Sequence, residues 1–220
     1  MNGQAQSHYE PRWPVVLAIL AVILLLIMLP ERIRLLPIWA PYVLGFAVLV
    51  PISVVGLTAP KPLWLRVERT FTLFFVVVAG GLTLVDLARV IGEMVYRSAQ
   101  VGGLQLLTSS IAVWVTNVLM FSMLYWQIDR GGPEARLNEV GIRPDWRFLQ
   151  EGSPSEEVPR GRQPAFVDYL YLGYSTATAF STTDAVPLTP RAKLLMMLES
   201  TISMMTIVIV ASRAINILGN

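Results

Sequence analysis

The chain reads as an all-α integral membrane protein, with about five transmembrane helices and one short helix that enters the bilayer without crossing it. Three observations predict this. Hydrophobic residues make up 54% of the 220 and charged residues only 15%, against roughly 25% charged in a soluble chain. The charges are segregated: thirteen of the 32 lie between Asp129 and Arg162, while Ser98 to Ile128 holds none. Apolar runs of that length match a hydrocarbon core of about 30 Å, which takes about 20 helical residues. The same composition excludes whole classes of function. A net charge of +2 without a long basic run offers no surface for nucleic acid. The absence of cysteine removes disulfides, thiolate metal sites and thiol nucleophiles, and the single histidine, His8, sits in a polar tail.

Taken in order, residues 1–12 form that polar tail, and residues 13–97 are expected to hold three helices. The first runs from Trp13 to Leu29 and is closed by Pro30; with no small-x-small cleavage site, it reads as a retained helix rather than a cleaved signal. The second lies within Leu35 to Leu57, where Pro37, Pro41 and Pro51 make it either a kinked span or a segment that dips into the membrane. The third runs from about Thr70 to Tyr96. Its first part, Thr70 to Val85, is uncharged, whereas Asp86, Arg89, Glu93 and Arg97 follow at spacings of three, four and four, on one helical face. That stripe is either an ion path or sensor, or a self-neutralised strip at a helix contact or near the interface.

Residues 98–128 contain the fourth span, within Leu104 to Ile128, ending in Tyr125-Trp126, a pair suited to the membrane interface. Residues 129–164 carry seven acids, six arginines, Gly131-Gly132-Pro133 and four further prolines. With few apolar residues they read as a solvent-exposed loop holding one short helix near Arg136. Residues 165–189 are the most informative. Ala165 to Thr178 follows Pro164, carries Asp168 in its first turn, and is too short to cross a bilayer. Ser181, Thr182, Thr183 and Asp184 come next, before Pro187 and Pro190. A half-helix followed by irregular backbone between two spans is either a re-entrant loop, tolerated where protein or a water-filled cavity surrounds it, or an interfacial helix and a turn. Residues 190–220 form the last span.

From about Ala165 to Asn216 the chain resembles the pore module of the two-transmembrane potassium channel family. That family's filter region typically reads T-T-V-G-Y-G-D, then P-x-T-P-x-x-R/K. Here the aligned residues, without a gap, are Thr178, Ala179, Phe180, Ser181, Thr182, Thr183 and Asp184, then Pro187, Thr189, Pro190 and Lys193. Leu194 to Ser200 is similar to the start of many inner helices in the family. The resemblance implies that 98–128 is the outer helix, 165–189 the pore helix and filter-like loop, and 190–220 the inner helix. It also implies a homotetramer around an axis. The departures are as informative. Ser181 and Thr183 stand where the family has its two filter glycines, Thr182 where it has tyrosine and Phe180 where it has valine. A ladder of backbone carbonyls depends on those glycines, because a β-carbon is disfavoured at positive φ. Selective potassium conduction is therefore not implied.

Each candidate residue has two readings. Asp184 would give a ring of carboxylates at the mouth, or serves as a turn residue before Pro187. Thr178, Ser181, Thr182 and Thr183 line a hydrated opening, or satisfy helix carbonyls. On the last helix, Glu199, Ser203, Thr206 and Arg213 share one face, which lines a cavity or binds the outer helix as interhelical glue. Glu199 is placed to pair with Arg191 or with pore-helix backbone. No glycine from Leu194 to Leu218 provides a hinge.

Two topology rules disagree. Four spans before the pore helix would put the N-terminus on the side of residues 129–164, extracellular in the family, whereas Lys and Arg counting favours the reverse. The functional expectation is a weakly selective monovalent cation channel, with a non-conducting scaffold or accessory subunit of the same fold as the alternative. No catalytic constellation, metal-ligand spacing or cofactor motif is present, so no enzyme activity and no cofactor are expected. The expected partners are the lipid bilayer of the cell membrane, further copies of the chain and monovalent cations, with no nucleic acid.

Overall fold

The computed structural model describes residues 10–31, 34–57, 62–96, 103–137, 143–151, 162–178 and 185–218. It is an all-helical, membrane-embedded protein, with four helices long and apolar enough to cross a membrane. The first helix, α1 (Trp13–Met28), carries Pro14 in its first turn and stops where Leu29 turns extended ahead of Pro30. Its 16 residues reach about 24 Å, so the expected fifth span is an apolar helix below full spanning length. Next, α2 (Ala40–Leu57) continues as a helix through Pro51.

The third helix, α3 (Pro62–Tyr96), is 35 residues long and begins well before the expected Thr70. Arg66, Glu68 and Arg69 therefore belong to it. At 1.5 Å per residue α3 spans about 52 Å, more than a hydrocarbon core. Its uncharged stretch from Thr70 to Val85 covers only about 24 Å. Charges flank this stretch at both ends, and the Asp86–Arg89–Glu93 stripe lies at the far end, where Arg89 Nη1 donates to Arg34 O (3.0 Å).

The fourth helix, α4 (Gly103–Ile128), is central. Over its apolar window 56% of residues are buried, against 22% for the last helix. A short 3-10 turn at Asp129–Gly131 follows, with Gly132 at φ 104°, a left-handed position that favours glycine. Then come α5 (Pro133–Leu137), the strand β1 (Trp146–Phe148), α6 (Phe166–Ala177), the strand β2 (Ala185–Pro187) and α7 (Pro190–Leu218). The two strands pair antiparallel, with Trp146 opposite Pro187 and Phe148 opposite Ala185.

Contacts fix the direction of each helix. Arg12 at the start of α1 lies beside Glu68 of α3, and a Cβ on Gly56, near the end of α2, would sit 3.8 Å from Arg12. Trp126 at the end of α4 bonds Glu10. The chain thus runs away from this end in α1 and α3 and returns to it in α2 and α4. Glu10 and Asp129 share one end of the bundle.

The described residues of 129–164 are not simply solvent-exposed. Asp129 and Trp146 are 0% exposed, and Arg136, Asp145 and Phe148 are also buried. Tyr125 and Trp126, the pair suited to a membrane interface, are 0% exposed as well. The aromatic rings explain this. Trp146 packs on Tyr125 (centroids 4.8 Å apart), Phe148 on Tyr169 (5.1 Å) and Phe166 on Trp126 (5.9 Å). A small aromatic core therefore closes this end of the bundle over α4 and α6.

Candidate functional site

The site grows around α6. Twelve residues carry it about 18 Å, roughly half a bilayer, so its first turn and last turn lie at different depths. Its N-terminus is strongly capped. Asp168 Oδ2 accepts from Ala165 N (2.8 Å), and the Glu10 carboxylate accepts from Phe166 N (2.6 Å). Both acids satisfy orphan backbone donors and sit at the positive end of the helix dipole. The polar tail expected at residues 1–12 thus ends in a structural residue. Glu10 also accepts from Trp126 Nε1 (3.0 Å) and lies 3.7 Å from Arg12 Nη1 and from Arg136 Nη2.

A second group of ions locks the chain on either side of α6. Asp129, fully buried, accepts from Tyr169 Oη (2.5 Å) and from the backbone N–H of Asp145 (2.8 Å). Burial pushes the Tyr169 phenol well above its ordinary value, outweighing the Arg136 cation over its ring, so it remains an O–H donor to Asp129. Asp145 accepts from Thr189 Oγ1 (2.6 Å) and Arg191 Nε (2.8 Å), and its carbonyl accepts from Leu188 N (2.8 Å). Arg136 Nη1 donates to Trp126 O (2.7 Å) and Asp129 O (3.1 Å). The start of α7 is thereby tied to the end of α4.

Deeper in the bundle, the last turns of α6 meet α4 and α7 at a buried carboxyl. Glu199, 0% exposed, accepts from Tyr125 Oη through Oε2 (2.5 Å). Asn117 Nδ2 donates to Ser203 Oγ (2.9 Å) and lies 3.4 Å from Glu199 O. Ser200 Oγ donates to Thr176 O on α6 (3.1 Å). Gly173 makes the approach possible, since a Cβ there would lie 2.4 Å from Ser122 Oγ and 3.3 Å from Glu199 Oε1. Glu199 Oε1 has no hydrogen-bond partner among the described residues.

The last-helix face is accordingly turned inward. Glu199, Ser203 and Thr206 are each 0% exposed; the first two bond side chains of α4, as interhelical glue does, while the Thr206 hydroxyl donates to Ile202 O of its own helix. The Arg213 side chain lies outside the described residues. Glu199 does not pair with Arg191, which is held by Asp145 instead. Thr178 ends α6, its hydroxyl donating to Tyr174 O (2.9 Å). Ala179, Phe180, Ser181, Thr182, Thr183 and Asp184 lie outside the described residues. A cavity of about 310 Å³ is lined by Phe148, Leu149, Tyr171, Ser175 and Ala185 among others. No group of three or more acidic or histidine side chains among the described residues could hold a metal.

Several of these residues escaped sequence reasoning. Asn117, an amide inside an uncharged span, carried a usable signal, because polar side chains at membrane depth face other helices. Asp129, Asp145 and Glu10 carried none, since their partners are distant in sequence. The class defined by fold and site is an all-helical, membrane-embedded protein with a half-length helix held at one end by buried ions. No protein family, curated protein or solved structure matches the chain.

Proposed function

We propose that the chain is one subunit of a tetrameric pore-loop channel, a multi-pass protein of the cell membrane that passes monovalent cations with weak discrimination between potassium and sodium. One arrangement carries this reading. α6 enters at the end where Glu10 and Asp129 lie, its last turn reaches Ser200 of α7, and the chain is back at the starting end by Ala185, opposite Phe148. A half-helix that enters and leaves at one end is a re-entrant segment, and the backbone after it needs protein or water around it. In this reading Thr178 to Asp184 supply hydroxyls and a carboxylate at the axis, and the negative end of α6 favours cations. No catalytic step is assigned to the chain. One chain contributes one such segment, and enclosing an axis takes four, which gives a particle of about 98 kDa, four times 24.4 kDa.

The test has two parts. Native mass in mild detergent is expected to show the tetramer, and a stable monomer or dimer removes the pore reading. Bilayer recordings under potassium–sodium and potassium–chloride gradients are expected to show cation preference with weak potassium selectivity, reduced by Asp184→Asn. Strong potassium preference overturns the argument from the missing filter glycines.

A second reading, a non-conducting tetramer serving as scaffold or accessory subunit, is favoured by one observation. The polar face of α7 is taken up by α4, and its outward face is mostly apolar, with Met197, Met204 and Val208 all more than half exposed. Absence of current from a verified tetramer would select it.

A further inference from the structure

Where the starts of α1 and α3 meet the end of α4, a cavity of about 300 Å³ opens beside Gly131 and Gly132. Its floor is polar and incompletely satisfied. Gln127 is 1% exposed, yet both of its amide atoms lack a hydrogen-bond partner among the described residues. Glu68 is 2% exposed; its Oε1 lies 3.1 Å from Arg12 Nε without making a hydrogen bond. Native proteins leave few buried polar groups in this state, and a cluster of them lining one cavity points to an occupant that supplies the partners. The rim differs. Arg66, Arg69 and Glu134 are exposed there, and Arg69 Nη1 also donates to Gly131 O (2.6 Å).

The depth of the rim narrows the occupant. The uncharged stretch of α3 begins at Thr70, directly after Arg69, so the two rim arginines lie at the edge of the apolar layer, where lipid headgroups lie. The charges narrow it further. Three arginines and two glutamates line the cavity, with Arg12 opposed by Glu68. A simple anion would gain Arg66 and Arg69 but meet Glu134. A zwitterion matches both signs, with its phosphate on the guanidinium groups and its cation toward the acids. The floor also offers acceptors, Gln127 Oε1 and the Glu68 carboxylate, which a group bearing N–H donors can satisfy and a trimethylated one cannot.

We infer that this cavity binds the headgroup of a phospholipid bearing a primary amine, with the phosphate on Arg66 and Arg69 at the rim and the ammonium passing Glu134 to reach Gln127 and Glu68 on the floor. This site stands apart from α6 and holds whether or not the chain conducts. The test uses the full-length protein purified in detergent and titrated with short-chain phosphatidylethanolamine, phosphatidylcholine and phosphatidylglycerol, with bound lipid counted by native mass spectrometry. Phosphatidylethanolamine is expected to bind about tenfold more tightly than phosphatidylcholine, the effect of one charge-assisted hydrogen bond. Soluble phosphoethanolamine should compete with it, and inorganic phosphate should not. Gln127→Leu, which keeps the volume and removes both amide atoms, should abolish the preference, while Arg66→Gln should weaken all three lipids alike. Equal binding of the ethanolamine and choline lipids, or a Gln127→Leu protein that keeps the preference, overturns the inference. Should Gln127→Leu fail to fold, the exposed variants Arg66→Gln and Glu134→Gln carry the test, and unchanged binding in both is equally decisive against it. Free phosphoethanolamine binding as tightly as the lipid would assign the cavity to a soluble phosphoamine and overturn the lipid assignment.

Discussion

At Gly173 α6 packs tightly against both α4 and α7, and replacing it with alanine tests the whole arrangement. The added methyl would lie 2.4 Å from Ser122 Oγ and 3.3 Å from both Val118 O and Glu199 Oε1. The first contact is impossible as it stands, so Ser122 must change rotamer and give up its bond to Val118 O (2.7 Å). That loss is about 1 kcal/mol. The other two contacts cannot be relieved so simply, because one is backbone and the other belongs to a carboxyl held by Tyr125. Overpacking of this kind costs about 1 to 3 kcal/mol, and alanine regains about 1 kcal/mol over glycine inside a helix, so Gly173→Ala should destabilise by about 1 to 3 kcal/mol in total. Ser122→Ala removes the clashing oxygen and should cost no more than about 1 kcal/mol alone. The double variant should then be less destabilised than the sum of the two, by about 1 kcal/mol. Unfolding in mixed micelles titrated with a denaturing detergent, followed by tryptophan fluorescence, measures all four corners of the cycle. Additive effects, or a Gly173→Ala protein within 0.5 kcal/mol of the parent, a difference typical of an unimportant surface change, would refute the close approach of α6.

Asp129→Ala should destabilise by about 3 kcal/mol or more, since it strands the Tyr169 hydroxyl and buried N–H groups together; thermal unfolding in detergent checks it, and Asp129→Asn, which keeps one acceptor, should cost less. Asp145→Ala should cost about 2 kcal/mol, held down by the exposure of Arg191 (58%). Its second readout is faster proteolysis near Leu188, where the link to α4 is lost. Reporters placed at Gly3 and Gly152 should label from the same side of the membrane, because Glu10 and Asp129 occupy one end of the bundle. Labelling from opposite sides would rule out an even number of crossings between them.

What the sequence made legible was governed by short-range rules. The expected helix from Ala165 to Thr178 is found at Phe166–Ala177, because Pro164 and Asp168 mark its start within a few residues. The span within Leu104 to Ile128 is found at Gly103–Ile128. The shared face of Glu199, Ser203 and Thr206 followed from helical spacing alone. What stayed hidden depends on distant partners. Helix α3 was expected to begin at Thr70, since Arg66, Glu68 and Arg69 look like the end of an apolar segment. Their partners, Arg12 and Gly131 O, allow the helix to continue through them. Residues 129–164 looked solvated because charge dominates their composition. Yet Asp129 is buried by Tyr169, forty residues away, and Asp145 by Arg191, forty-six residues away. Charge counts measure solvation only when the counter-ions are local.

The inward turn of the α7 polar face bears directly on how a pore could be built from this chain. A helix has one face opposite any given stripe, and opposite Glu199, Ser203 and Thr206 lie Met197, Thr201, Met204 and Val208, all exposed in the single chain. Rotating α7 to offer Glu199 to an axis would break the Tyr125 and Asn117 bonds and strand a carboxyl at membrane depth, which is costly. In the proposed assembly, neighbouring subunits or an axis would therefore meet a face of methionine and valine relieved by one threonine. An ion passing such a wall keeps its water and gains little from the wall itself. Charge selection in the proposed channel then falls to the segment from Thr178 to Asp184 and to the dipole of α6, while the methionine-rich stretch below sets whether the path stays wet. The two proposed functions thus differ in one physical quantity, the hydration of that apolar stretch, and share every contact that holds α6 in place.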